Sequence, residues 1–208
     1  MDTKAKVLFH SSIRISGEKT VYFDPFKIEG EPHDADIIFV THSHYDHFSA
    51  EDINKIKGSN TLIVVPKSME KSAKGVCPRV KAVSAGEHFD ADGIAAEAVA
   101  AYNVGKLFHT KLSGWLGYIV TIDGERYYIA GDTDRNKDIE NVKCDIALVP
   151  IGGKFTMNAK EAAGFVNHIK PKIAIPTHYG SVAGSYSDAD VFAGYVDKDI
   201  TVDIQLRG

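Results

Sequence analysis

The stretch His42-Ser43-His44-Tyr45-Asp46-His47 puts three imidazoles and a carboxylate into six positions of a 208-residue chain that holds nine histidines. Donors at that density suit the coordination shell of a hard or borderline cation, because neutral imidazole and carboxylate are the ligands such ions take. One loop histidine is ordinarily a solvated polar residue, but crowding four donors without a cation gains nothing evident. His42 and His44 share strand parity and project to one side if the strand continues, whereas His47 breaks parity and depends on a turn. Spacing alone does not apportion the donors between two cations.

Two other segments end in the same way. Ile37 to Val40 runs into Thr41-His42, Tyr127 to Ala130 into Gly131-Asp132, and Ile173 to Pro176 into Thr177-His178. Functional groups gather at the carboxyl ends of strands, where loops can be shaped without disturbing the core. Three such ends converging would make one site. Asp24, before Pro25, reads either as a turn former or as an acceptor that orients a ligating imidazole. Asp134 reads as a solvated loop carboxylate, and the Gly152-Gly153 backbone and Thr156 as loop or substrate contacts. His10, His33 and His168 show no partner spacing and read as structural or surface residues.

The elements that must position these groups are mostly strands. Runs rich in Val, Ile, Tyr and Phe predict strands over 6–10, 20–24, 36–41, 61–65, 80–84, 94–101, 115–122, 126–130, 145–150, 173–176 and 200–206. Asp123-Gly124 marks a hairpin, since Gly tolerates the positive φ of a tight primed turn. Ser49 with Asp52 resembles a capping box for a helix carrying Ile53 and Ile56 and stopping at Gly58. Asn158 with Glu161 opens a second helix before Pro171, and Ser187 with Asp190 a third carrying Val191, Phe192 and Tyr195. A shorter helix is expected from Pro66 to Lys74. Such elements suggest two sheets with helices on their outer faces, in one domain spanning 1–208.

Composition narrows the function. A net charge of -4 and 44% hydrophobic residues describe an ordinary soluble protein without the basic field that nucleic acid or anionic membranes reward. The densest basic stretch, Lys67 to Lys81, reads as a solvated helix face. Neither a secretory leader nor a membrane-length apolar run is visible, which places the expectation in the cytoplasm. Cys77 and Cys144 stand alone, with neither metal spacing nor a disulfide framework.

These residues resemble the metallo-β-lactamase superfamily, whose HxHxDH signature stands here as His42 to His47, followed in the family's order by Asp132 and His178. Tyr45, Val21-Tyr22-Phe23-Asp24-Pro25 and Val149-Pro150-Ile151-Gly152-Gly153 are similar to the small-hydrolase branch that includes ascorbate-6-phosphate lactonase. A more distant likeness is to the phospholipase D acting on N-acylethanolamine phospholipids. The resemblance implies an αββα sandwich, two mixed β-sheets flanked by helices, with a dinuclear metal site at one edge. It also implies that His42, His44 and an intervening histidine hold one metal, that Asp46, His47 and His178 hold the second, and that Asp132 bridges. The intervening histidine is His88 or His109. His109 is preferred because it follows Tyr102-Asn103 and precedes the Gly117-Tyr118 strand as in relatives, whereas Gly86-Glu87-His88 reads as a turn.

Two close divalent cations acidify a shared water and polarise a substrate oxygen. The expected activity is therefore attack by a metal-bridged hydroxide on a lactone or phosphoester of a small molecule, with Asp46, Asp132 and His178 as the catalytic candidates. Zinc is the expected metal of a thiolate-free, His-rich site, with manganese or iron as substitutes. Rival readings are an iron redox protein on the same scaffold, a phosphodiesterase acting on nucleotides or lipids, and a metal-stabilised binding module. The run from Asn103 to Gly114 is expected to be a lid over the site. Phe108 and Trp115 are expected to serve either substrate or a homo-oligomer contact.

Overall fold

A computed structural model describes residues 3–106 and 108–208; Met1, Asp2 and Leu107, the last within the expected lid, lie outside the described residues. The first six strands are β1 (Ala5–Phe9), β2 (Ser12–Ser16), β3 (Thr20–Phe23), β4 (Ala35–Phe39), β5 (Lys57–Pro66) and β6 (Arg79–Val83), and they pair in that order. The second sheet holds β7 (His88–Ala91), β8 (Ile94–Ala100), β9 (Leu116–Ile122), β10 (Glu125–Ile129), β11 (Ile146–Pro150), β12 (Ile173–Thr177) and β13 (Thr201–Val202). Its strands are likewise adjacent in sequence order.

Each sheet has an antiparallel part and a parallel part. β1 to β3 and β7 to β10 are antiparallel, while β3 to β6 and β10 to β13 are parallel. Parallel neighbours need crossovers. Helices α1 (Ala50–Ile56), α2 (Glu70–Lys74), α3 (Ala159–Ile169) and α4 (Ser187–Tyr195) fill four of those connections. The arrangement leaves the carboxyl ends of β3, β4, β10 and β12 free to carry loops. Asp24, Thr41-His42, Asp132 and His178 stand at or just beyond those four ends.

Side-chain alternation builds three apolar layers. Ile37 and Phe39 of β4 meet Tyr118 and Val120 of β9 and Tyr127 and Ile129 of β10 between the sheets. Their neighbours Ile38 and Val40 turn outward onto Ile53 and Ile56 of α1. Tyr128 and Ala130 turn outward onto Phe165 and Val166 of α3. Burying each Ile, Val or Phe side chain among them contributes roughly 1.5–3 kcal/mol. Tyr118 also ties the sheets together, because its hydroxyl donates to the Val40 carbonyl at 2.8 Å, at the root of the histidine cluster.

The αββα sandwich is as expected, with local departures. β2 and β7 were not anticipated. Helix α1 stops at Ile56 and the chain passes straight into β5, so Gly58 is a strand residue rather than a helix stop. Ser49 accepts from the Asp52 amide as a cap should, but the Asp52 carboxylate turns to the amides of Lys27 and Ile28. At α4 no side chain caps the first turn, and Val191 and Tyr195 are exposed while Phe192 is buried. The helix expected from Pro66 is a 3-10 turn at Lys67–Met69 followed by α2.

Candidate metal centre

Four donors, His42, His44, His109 and Asp132, bring one ligand atom each within 4.8 Å of one another. His42 Nε2 and His109 Nε2 lie 3.1 and 3.3 Å from His44 Nδ1, and 3.8 and 3.6 Å from Asp132 Oδ2. A second group joins His47, Asp132 and His178. Here His47 Nε2 is 3.4 Å from Asp132 Oδ1 and 3.7 Å from Asp46 Oδ2, and His178 Nε2 is 3.1 Å from Asp132 Oδ2. Asp132 thus stands between both groups.

Local backbone geometry makes this convergence work. The turn after His44, closed by the His47 amide on the His44 carbonyl at 3.0 Å, swings His47 back toward His42. Gly131 has φ +64°, and a Cβ there would lie 2.9 Å from the Leu116 carbonyl oxygen and 3.0 Å from Thr41 Cβ. That left-handed step lets β10 end with Asp132 facing the cluster. His109 and His178 are themselves left-handed, with φ of 49° and 57°. Such conformations cost about 1–3 kcal/mol each in non-glycine residues and gather at functional sites.

Partners on the far ring nitrogens select the tautomers. His47 Nδ1 donates to Asp24 Oδ2 at 2.7 Å. Thr41 Oγ1 donates its proton to the same carboxylate at 2.7 Å and so accepts from His42 Nδ1 at 2.9 Å. His109 Nδ1 donates to Asn103 Oδ1 and the Phe155 carbonyl at 3.1 and 3.0 Å. In all three rings Nε2 is left facing inward, the arrangement seen when imidazole ligates a metal. Asp24 is accordingly an orienting acceptor and not a bare turn former.

Electrostatics point the same way. Burial alone would push His47 down, but Asp132, Asp24 and Asp46 outweigh it and hold the ring up at about 9. Burial would raise Asp132, yet His178, His47 and His42 keep it well below the usual carboxylate range. His42 is driven well below its usual value by burial and then by the nearby His47 charge. The pocket therefore attracts positive charge. His47 Nε2 and Asp132 Oδ1 are buried without hydrogen-bond partners, and a divalent cation that displaced the His47 proton would find a donor atom on each.

Of the two alternatives for the intervening histidine, the structure brings in His109 and leaves His88 on β7, 75% exposed and 3.8 Å from Glu97. His33 and His168 lie at the surface. Three expectations are narrowed or corrected. Asp134 is buried rather than solvated, holding Lys106 Nζ at 2.6 Å and the Val104 amide at 3.0 Å. Of the two readings of Thr156 the loop one fits, because the residue is fully buried with its hydroxyl on the Met157 carbonyl. His10 is no bystander: it is buried, with Nε2 3.5 Å from Asp46 Oδ2. Local spacing gave it no partner, although a histidine at a strand end was a readable signal.

Around the centre the rim is aromatic. Trp115 packs against His42 and His44 with ring centroids 4.8 Å away, and Tyr45 and Phe108 are 66% and 53% exposed. No helix among the described residues is long and apolar enough to cross a membrane.

Comparison with known proteins agrees with this geometry. A family profile described as "Beta-lactamase superfamily domain" matches residues 6–178. A UPF0173 metal-dependent hydrolase of Pyrococcus abyssi is 34% identical over 99% of this chain and 97% of its own length. Another from Thermoplasma volcanium is 33% identical over 87% of this chain and 85% of its own. The crystal structure of a protein from Parabacteroides distasonis superposes with a TM-score of 0.82 at 29% identity, covering 100% of this chain and 97% of that one. The chain belongs to the beta-lactamase superfamily. Within it, UPF0173 metal-dependent hydrolases are among its full-length relatives.

Proposed function

We propose that this chain is a dinuclear metal-dependent hydrolase that cleaves an ester-type bond, a lactone or a phosphoester, in a small molecule. The observation that carries the reading is Asp132. This one buried carboxylate lies within 3.8 Å of imidazole nitrogens from both donor groups, as a bridging ligand must. His42, His44 and His109 would hold one cation, Asp46, His47 and His178 the other, and Asp132 both.

Divalent cations bound there supply acidification of water and Lewis-acid polarisation of the substrate oxygen. The chain's own contribution is positional. Asp24, Thr41 and Asn103 fix the rings from behind, so that donors are set before any cation arrives. Asp46 and Asp132 are the acceptors available to orient a nucleophilic water. His178, 3.1 Å from Asp132 through Nε2, would be engaged as a ligand of the second cation and so would not be free to protonate a leaving group. The exposed rings of Tyr45 and Phe108 favour a substrate with an apolar portion. Zinc suits the donor set best, with manganese or iron as substitutes.

Elemental analysis of chelator-free protein tests the metal count, and assays with lactones and with bis-nitrophenyl phosphate separate the two bond types. Two equivalents of zinc or manganese with turnover of either substrate, both lost in Asp132→Ala, is the expected result. Retained turnover in that variant overturns the reading, and bound iron with a visible charge-transfer band would redirect it to redox chemistry.

A further inference from the structure

The hairpin between β1 and β2 turns at His10, a residue outside the signature and outside the donor set described above. Its ring is completely buried, and Nε2 has no hydrogen-bond partner. That nitrogen lies 3.5 Å from Asp46 Oδ2, longer than a good hydrogen bond. His10, Asp46 and His178 form a third group of buried donors whose ligand atoms lie within 4.8 Å of one another. The rings of His10 and His178 approach to 4.0 Å between centroids.

Two further features match the ligating pattern. Ser181 Oγ sits 3.1 Å from His10 Nδ1, as Asp24 does behind His47, Thr41 behind His42 and Asn103 behind His109. In each case an oxygen occupies Nδ1 and Nε2 is left facing the carboxylates. The backbone of His10 is also left-handed, with φ 53°, and its carbonyl accepts from the His178 amide at 3.0 Å. A histidine held in a disfavoured conformation, pinned to another site histidine and left with an orphaned buried nitrogen, is placed for more than packing.

We propose that His10 is an additional protein ligand of the second cation, its Nε2 joining Asp46 and His178. The proposal rests on the dinuclear reading above. It makes the second position richer in protein donors than the first, so fewer places there remain open to water or substrate. The second cation would then be anchored mainly by protein, and substrate would enter from the side of His42, His44 and His109.

The test is cobalt(II) titration of metal-stripped parent, His10→Ala and Ser181→Ala proteins, followed by elemental analysis and by the visible d–d bands. The parent should take two equivalents. His10→Ala should keep the first with unchanged affinity and bind the second about 10- to 100-fold more weakly, with an altered band as an imidazole leaves the coordination sphere. Ser181→Ala, which frees the ring without removing it, should weaken the second equivalent less and leave the band in place. Where His10→Ala does not fold, His10→Gln keeps a partner for Ser181 and lacks the imidazole; the same losses are expected of it. Weaker binding with an unaltered band would overturn the proposal, showing that His10 only steadies Asp46, and so would parent-like affinity and band. A parent that takes a single equivalent overturns the dinuclear reading together with this one, whereas two equivalents in an unaffected variant overturn His10 alone.

Discussion

His47 Nδ1 donates to the carboxylate of Asp24 across 2.7 Å, with both side chains sealed from solvent. The same carboxylate accepts from the amide and the hydroxyl of Thr41, each at 2.7 Å. One residue at the end of β3 therefore sets two neighbouring imidazoles, His47 directly and His42 through Thr41. Asp24→Ala should lower cation affinity by about 10- to 100-fold, because the rings lose the partners that select their tautomers. A competitive chelator titration reads this; parent-like affinity would show that the rings are held by packing alone.

His109 and His88 offer a contrast between two histidines of one protein. His109→Ala should remove a donor from the first group and weaken cation retention there, while His88→Ala, altering a 75% exposed side chain, should leave it untouched. The only tryptophan, Trp115, packs 5.1 Å from His109 and 4.8 Å from His42, so its emission should follow the titration. Equal retention in the two variants would contradict the assignment.

Asp52 ties α1 to the segment after β3. Its carboxylate accepts from the amides of Lys27 and Ile28, each at 3.0 Å, and from Lys55 Nζ at 3.0 Å. Burial would raise its pKa, but the hydrogen bonds from Ser49, Lys55, Ile28 and Lys27 outweigh it and hold the group below its usual value. A folded value below the unfolded one stabilises the protein above the ordinary carboxylate pKa of about 4, and that stability is lost as pH falls through the folded value. Asp52→Asn should cost about 1–3 kcal/mol near neutral pH. The gap to the parent should shrink as pH falls below the ordinary carboxylate range in urea unfolding; a pH-independent gap would show that charge plays no part.

Gly131→Ala is expected to be damaging despite its small size. The added methyl would sit 2.9 Å from a backbone oxygen at a φ of +64°, so Asp132 or the start of β9 must move. A thermal melt should show a loss of about 1–3 kcal/mol, and cation retention should fall with it. An unchanged melting temperature would mean that the turn re-forms without strain.

The strands that end in donors were legible because each writes its signal locally: an apolar run, a small residue, then His or Asp. β4, β10 and β12 are of this kind, and so is the capping box of Asn158 and Glu161, which opens α3 as read. β7 was missed although Asp92-Gly93, the same dipeptide as Asp123-Gly124, turns it into β8. Its short, polar strand lacks the apolar run that drew attention elsewhere. β2 alternates Ile13, Arg14 and Ile15, a period-two pattern that was readable. His10 and Asp134 were misjudged for a different reason. Their partners, Asp46 and Ser181 for the one and Lys106 for the other, stand 28 to 171 positions away and come close only after the sheets dock.

The hydrogen bond from the His178 amide to the His10 carbonyl closes a loop over most of the chain. The clustered His and Asp side chains arrive from the first hairpin, the end of β4, the segment before β9, the end of β10 and the end of β12. No fragment that stops short of His178 can offer the complete set. Contacts of such long range form slowly during folding, because the intervening chain must be ordered first. On the proposed reading, cation capture would be a late event, and a loaded centre would certify that both sheets have formed and met. In a growing polypeptide the signature histidines emerge well before their partners, so the protein becomes a full competitor for scarce metal only when its synthesis is almost complete.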